Sequence, residues 1–449
     1  MLKVLNKLKD ILKGSYALSI LNEDYPETIF GIRKDSPLIV GVGENENILA
    51  SDIPAIVHVT NKYVVLDNHD IVVLTKDNIK YYDKDMKEVQ KEIREFNDEK
   101  DVISKNGYDH FMLKEINEES DIVKRLLSTY TKDGKVKEMF DIKKYKNIDI
   151  VACGSAKFAG ELGKHYIEKY AGVKVNVHFG SEYRYQTCLL DKDTLVIVIS
   201  QSGETADTLA SLKLAKEKGV DTLAIVNRRE SSIAREADYV LYIEAGIEIA
   251  VATTKAYLAQ VILLLLLAIK GTKEETSVLE ELKLLPNIIT QYINEYDYTS
   301  IAKEVMNKEH LFYLGRGVDY YLSEEGSLKL KEISYIHSEA FQAGELKHGS
   351  ISLIDEDFGV ITVVTDKSIS DKTISNLKEV SSRGAKIIAI TSIEDDNFSD
   401  YKIALEDHGE VLTPLSVIVP MQLLAYNVAK LKGCDIDKPR NLAKSVTVE

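Results

Sequence analysis

A chain of 449 residues is long enough for two to four domains, each with its own core. Its net charge of −15 disfavours nonspecific binding to nucleic acid or to anionic membranes, so neither is expected as a partner. A small anion is still allowed, because a local site can oppose the overall sign. The three cysteines, Cys153, Cys188 and Cys434, are odd in number and far apart. They suit a reducing cytoplasm better than a disulfide framework, and no metal or cofactor is expected.

The opening stretch Met1–Lys9 is amphipathic and lacks the apolar core of a signal peptide. From Ser15 to about Asp83, short β-like runs are separated by Asn, Asp, Gly and Pro. From about Lys84 to Lys105 the chain is strongly charged without an apolar period and reads as a linker. From about Asp121, strand-like apolar runs alternate with helical segments, the pattern of parallel α/β units. Tyr257–Ile269 is apolar except for Gln260; it is too short to span a bilayer and reads as a buried helix. This third zone repeats itself. Ile150–Gly154 resembles Phe312–Gly315, and Gln260 and Gly271 recur as Gln422 and Gly433, both 162 residues later. The division expected is a β-rich region at 1–85, a linker at 86–120, α/β domains at 121–285 and 295–440, and a tail at 441–449.

Four segments carry candidate chemistry. The apolar strand ending at Ser200 runs into Gln201-Ser202-Gly203-Glu204-Thr205 and then a helix. A strand, a small-residue turn and a helix N-terminus make an anion site. A lone serine there would be an ordinary cap, but four side-chain donors in six residues favour an anion cradle. A similar unit occurs at Val151–Ser155, a weak signal alone; Cys153 within it reads as structural rather than nucleophilic. In Glu325–Glu339, Lys329 and Glu332 share a helix face, as solvated salt-bridge pairs also do. His348 follows in a Gly-flanked loop, and Lys444 lies in a tail that would ordinarily fray.

Together, Ser-Gln-Ser-Gly-Glu-Thr-Ala-Asp-Thr, Lys-Leu-Lys-Glu-Ile-Ser-Tyr-Ile-His, Ala-Gly-Glu-Leu-Lys-His-Gly and the terminal Arg-Asn-Leu-Ala-Lys-Ser-Val-Thr-Val-Glu resemble the isomerising glutamine–fructose-6-phosphate aminotransferases, the glucosamine-6-phosphate synthase family. The resemblance implies an α/β fold: two tandem sugar isomerase (SIS) domains with parallel sheets, after a partial β-rich glutaminase remnant. It implies formation of glucosamine-6-phosphate from fructose-6-phosphate, for amino-sugar and cell-wall precursors. Ser200, Gln201, Ser202 and Thr205 would bind the sugar phosphate, with Gly154, Ser155 and Thr253 near the sugar. Lys329 and Glu332 would carry proton transfers, His348 would open the ring, and Lys444 would form a Schiff base. Thr253 stands where the family has Ser, Ala156 where a Ser is common, and Ser350 where a Pro is usual.

The family's glutaminase starts with a nucleophilic Cys; here Met1-Leu2 opens the chain and no Cys precedes Cys153. The expectation is a gene fragment or mis-called start that does not hydrolyse glutamine, with a separate glutaminase fragment as one partner to consider. By resemblance a homodimer is expected, with His348 reaching the neighbouring subunit's sugar. Rival readings are an ammonia-dependent synthase, a glucosamine-6-phosphate deaminase-type enzyme, or a non-catalytic sugar-phosphate sensor.

Overall fold

The computed structural model describes residues 1–53, 55–95, 104–394 and 397–448. These divide into two compact units: residues 1–106, 204–209 and 445–449 form the first, and 107–203 with 210–444 the second.

In the first unit, a five-stranded antiparallel sheet orders Tyr16–Leu21, Ile29–Lys34, Ile71–Leu74, Ile79–Tyr82 and Glu88–Val89. A four-stranded sheet orders Asn47–Ala50, Ile39–Val42, Lys62–Val65 and Arg94–Glu95. Val40 and Val64 of one sheet pack on Val72 and Leu74 of the other. The helix Leu2–Ile11 buries Leu5 against Phe30, Ile32 and Ile71. The unit is therefore layered helix, sheet, sheet, each apolar face covered by the next layer.

The stretch expected as a linker is partly ordered structure. Glu88–Val89 and Arg94–Glu95 close the edges of the two sheets, and Phe111–Asn117 is a helix that buries Met112 and Ile116. Two-residue edge strands have no period to detect, and charge is usual on a sheet edge. Residues 96–103 of the expected linker lie outside the described residues.

The second unit is a duplication. One parallel sheet orders Lys174–Phe179, Asn147–Ala152, Thr194–Ser200, Asp221–Val226 and Tyr239–Tyr242; the other orders His337–Gln342, His310–Gly315, Gly359–Val364, Lys386–Thr391 and Tyr401–Ala404. Every pairing within them is parallel. Each sheet's middle strand is buried throughout, as parallel strands covered on both faces require. The helix Lys255–Ile269 is buried at all fifteen residues, as expected from its composition. Its counterpart Gly409–Leu431 is long and apolar enough to cross a membrane, but 94% of that window is packed inside the protein.

The structure corrects one sequence match. The first strands end at Ala152 and Gly315, and the helices after them are capped by Gly154 and Gly317. Gly154 thus corresponds to Gly317, not Gly315. Both caps hold φ near +55°, a conformation open to glycine at little cost. The Gly315-Arg316-Gly317 triplet offered two glycines, and only the backbone tells them apart.

Candidate active site

The helix Val318–Ser334 carries the first cluster. Positions 325, 329 and 332 fall on one face because they are four and three residues apart. Lys329 is 1% exposed; its Nζ lies 2.5 Å from Glu332 Oε2 and 3.6 Å from Glu325 Oε1. Ser155 Oγ, from the first repeat, donates to Glu325 Oε1 at 3.0 Å. Burial alone would depress the Lys329 ammonium, but Glu332 and then Glu325 outweigh it and hold the group above the ordinary lysine range. Glu325 is pushed up to about 8, chiefly by burial, against the pull of Lys329. Its Oε2 is buried without a hydrogen-bond partner among the described residues. A buried ammonium is tolerable only with such partners; losing one costs far more than the pair gains.

The second cluster is built by the tail. Asp437 caps the helix Phe111–Asn117 by accepting from the Phe111 and Met112 amides at 3.0 Å each. Arg440 stacks on Tyr335, 4.2 Å from the ring centre. So anchored, Lys444 donates to Glu248 Oε2 at 2.5 Å and to Thr253 Oγ1 at 3.4 Å. Glu248 Oε1 accepts from the Thr254 and Ala256 amides, both at 3.1 Å, at the N-terminus of the helix Lys255–Ile269. Burial raises the Glu248 carboxyl, but Lys444, Lys255 and that helix end bring it below its ordinary value. Neighbouring Glu115 goes the other way, to about 8, through burial and the charge of Glu248. Glu248 also adds to the electrostatic hold on Lys329, so the two lysine clusters share one field.

Ser200 ends its strand buried, and its Oγ accepts from the Gly203 amide at 3.0 Å. The Gln201 carbonyl accepts from the Asn227 amide at 3.2 Å, and Ser202 is half-buried. Gly203 has φ of +67°, and a Cβ there would sit 2.0 Å from Ser231 Oγ, so only glycine fits this turn. Thr205 lies in the segment 204–209 that groups with the first unit.

Of the expected residues, then, Ser155, Lys329 and Glu332 come together around Glu325, and Thr253 and Lys444 around Glu248. Ser200, Gln201 and Ser202 form one turn, and Gly154 caps the helix that begins at Ser155. His348 is exposed at the end of the turn Glu345–His348 and shares no hydrogen bond or ion pair with Lys329, Glu332 or Lys444. Cys153 is half-buried. Sequence reasoning missed Glu325 and Glu248. Glu325 could have been found, four residues before Lys329 on the same face. Glu248 offers no local signal, since it lies 196 residues from Lys444 and between two isoleucines.

The SIS domain family matches residues 141–270 and 304–431. The Clostridium tetani protein named glutamine–fructose-6-phosphate aminotransferase [isomerizing] is 47% identical over 98% of this chain and 75% of its own length. Its namesake from Caldanaerobacter subterraneus is 46% identical over the whole of this chain and 77% of its own. A solved structure described as the C-terminal domain of glucosamine-fructose-6-phosphate aminotransferase from Francisella tularensis superposes with a TM-score of 0.71 at 38% identity, covering 75% of this chain and 100% of that one.

Proposed function

Because the chain belongs to the isomerising glutamine–fructose-6-phosphate aminotransferases, we propose that its second unit performs the sugar half of the reaction: fructose-6-phosphate and ammonia become glucosamine-6-phosphate and water. The turn at Ser200, Gln201 and Ser202, with Thr205 next along the chain, receives the phosphate. Gly154, Ser155 and Thr253 face the sugar. Lys444 attacks the C2 carbonyl of the open ketose, releasing water, and ammonia then displaces the lysine to leave an imine at C2. Glu332 takes a proton from C1 and a proton is returned at C2, giving the aldehyde at C1 and the amine at C2 without any external oxidant. Lys329, paired with Glu332, positions that carboxylate for the transfer. His348 opens the ring in the neighbouring subunit of a homodimer, and the enzyme works in the cytoplasm.

The observation that supports this reading most is the fully buried Lys329 pinned to the half-exposed Glu332: an internal cation holding a carboxylate where a substrate can reach it. The test is interconversion of fructose-6-phosphate and glucose-6-phosphate by the purified chain without ammonia. Glu332→Gln is expected to slow it by roughly 10²–10⁴-fold. A Glu332→Gln protein of unchanged rate, or a folded wild type with no interconversion at all, overturns the proposal.

A further inference from the structure

The two repeats match position by position at the loop that leads into their second helix. Leu195 pairs with Ile148, and Gly359 pairs with Leu311, which sets the shift between the middle strands at 164 residues. The helices that follow, Ala206–Glu217 and Ser370–Ser381, are twelve residues each and keep the same shift. Residues 200–205 therefore correspond to 364–369. Ser200, Ser202 and Thr205 are replaced by Val364, Asp366 and Ile369. Every hydroxyl counted toward the anion cradle in the first repeat is lost or exchanged for a carboxylate in the second.

The turn is also changed, since Lys367 without a positive φ stands where Gly203 has φ of +67°, but an internal group takes the amides at the start of the second loop. Asp319, 1% exposed, accepts from the Thr365 amide at 2.9 Å and the Asp366 amide at 3.3 Å through Oδ2, and from the Thr365 hydroxyl through Oδ1. Thr365 and Asp366 are the counterparts of Gln201 and Ser202. Asp319 is the second residue of its helix; the second residue of the matching helix is Ala156, which has no acceptor to offer. A buried carboxylate without an ion pair is costly, and this one is held by three donors of the kind that otherwise receive a ligand's anion.

We propose that Asp319 is a built-in anion that fills the phosphate cradle of the second repeat, so that each chain offers one sugar-phosphate site where the duplication would have given two. The inference rests on reading the 200–205 loop as a phosphate site, and the experiment separates the two claims. Inorganic phosphate is the probe, titrated against the full chain by calorimetry. Wild type should bind one phosphate per chain, and Ser202→Ala should weaken it at least tenfold; an unchanged affinity would sink the reading of the first loop alone. In the Ser202→Ala background, adding Asp319→Ala should restore phosphate binding at least tenfold over Ser202→Ala by itself. Asp319→Asn, which keeps an acceptor for the Thr365 hydroxyl, should restore less. A folded double variant that gains no phosphate binding overturns the proposal. If the Asp319 variants fold only in phosphate buffer, the anion has replaced the side chain and the proposal stands. If they stay unfolded there too, Asp319 serves packing alone and the proposal falls.

Discussion

The first helices of the two repeats can be compared residue by residue. Ser155–Tyr166 continues through a π turn, Ile167–Ala171, so that this segment and Val318–Ser334 are both seventeen residues long. Gly163 and Gly326 fall at the same place, and in each a Cβ would collide with the long apolar helix of its own repeat, at Leu264 and Met421 respectively. At that register, Leu162 and Tyr166 of the first repeat correspond to Glu325 and Lys329 of the second. All four are buried to within 1%. One copy fills the positions with a leucine and a tyrosine, uncharged side chains, and the other with an ion pair. The scaffold tolerates both, so the charge is not there because the fold needs it. Buried ion pairs are poor stabilisers compared with well-packed apolar residues, which supports the proposal that Lys329, with Glu325 beside it, serves the proton transfers.

The comparison breaks most sharply if the second helix is rewritten as the first. Glu325→Leu with Lys329→Tyr should abolish hexose-phosphate interconversion, by roughly 10²-fold or more, since Glu332 loses its cation. The same double variant should keep its stability, or gain by roughly 1–4 kcal/mol. Lys329→Met alone should instead cost about 3–5 kcal/mol, because it strands carboxylates in the interior. Urea denaturation of the three proteins checks this. A double variant less stable than Lys329→Met would mean that the ion pair is structural after all.

What could be read from the sequence follows from how local each signal was. The hydroxyl-rich loop after Ser200 and the Lys329–Glu332 spacing are contained within one turn or one helix, and the duplication announced itself through Gln260/Gln422 and Gly271/Gly433. Two α/β domains followed from the repeat and the alternation of strands and helices; that they are SIS domains followed from the family resemblance. The partnership of Lys444 with Glu248 could not be read, because it exists only once the chain has brought positions 196 residues apart into contact. Nor could the edge strands Glu88–Val89 and Arg94–Glu95, whose stability comes from the neighbours they pair with and not from their own residues.

A second pair of matching positions lies just beyond the edge strands. His348 follows His337–Gln342 as Tyr185 follows Lys174–Phe179, and both are exposed. If His348 serves the neighbouring subunit, Glu332→Gln and His348→Ala should each be nearly inactive as pure dimers. Unfolded and refolded together, about half the dimers would be mixed, each with one intact composite site, and activity should recover to roughly a quarter of wild type. No recovery, with mixed dimers demonstrated, places His348 in its own subunit's site or outside catalysis. Tyr185→Ala should leave the same activity unchanged, which keeps the two repeats distinct.

The smallest effect tests how the polar interior between the repeats is held. Each long apolar helix buries one glutamine, Gln260 and Gln422, and neither side chain has a hydrogen-bond partner among the described residues. Glu119 is buried with them, and no hydrogen bond of ordinary length reaches either of its oxygens among the described residues. Burial pushes its carboxyl up to about 8; the nearby Gln422 amide pulls it back only in part, and the charges of Glu248 and Glu325 oppose that of Lys255. The unfolded chain would release this proton near 4.5. Between those two values the folded protein holds a proton that the unfolded one has lost, so stability is full below about pH 4.5 and falls as pH rises toward 8. One such group contributes at most about 1.4 kcal/mol for each pH unit in that window. Glu119→Gln is neutral at every pH and should remove this share. The variant should match wild type below about pH 4.5 and exceed it in urea midpoint by pH 8, with a shallower slope between. Parallel slopes for the two proteins would show that Glu119 is ionised and partnered in the folded state, and that the buried glutamines are not what surrounds it.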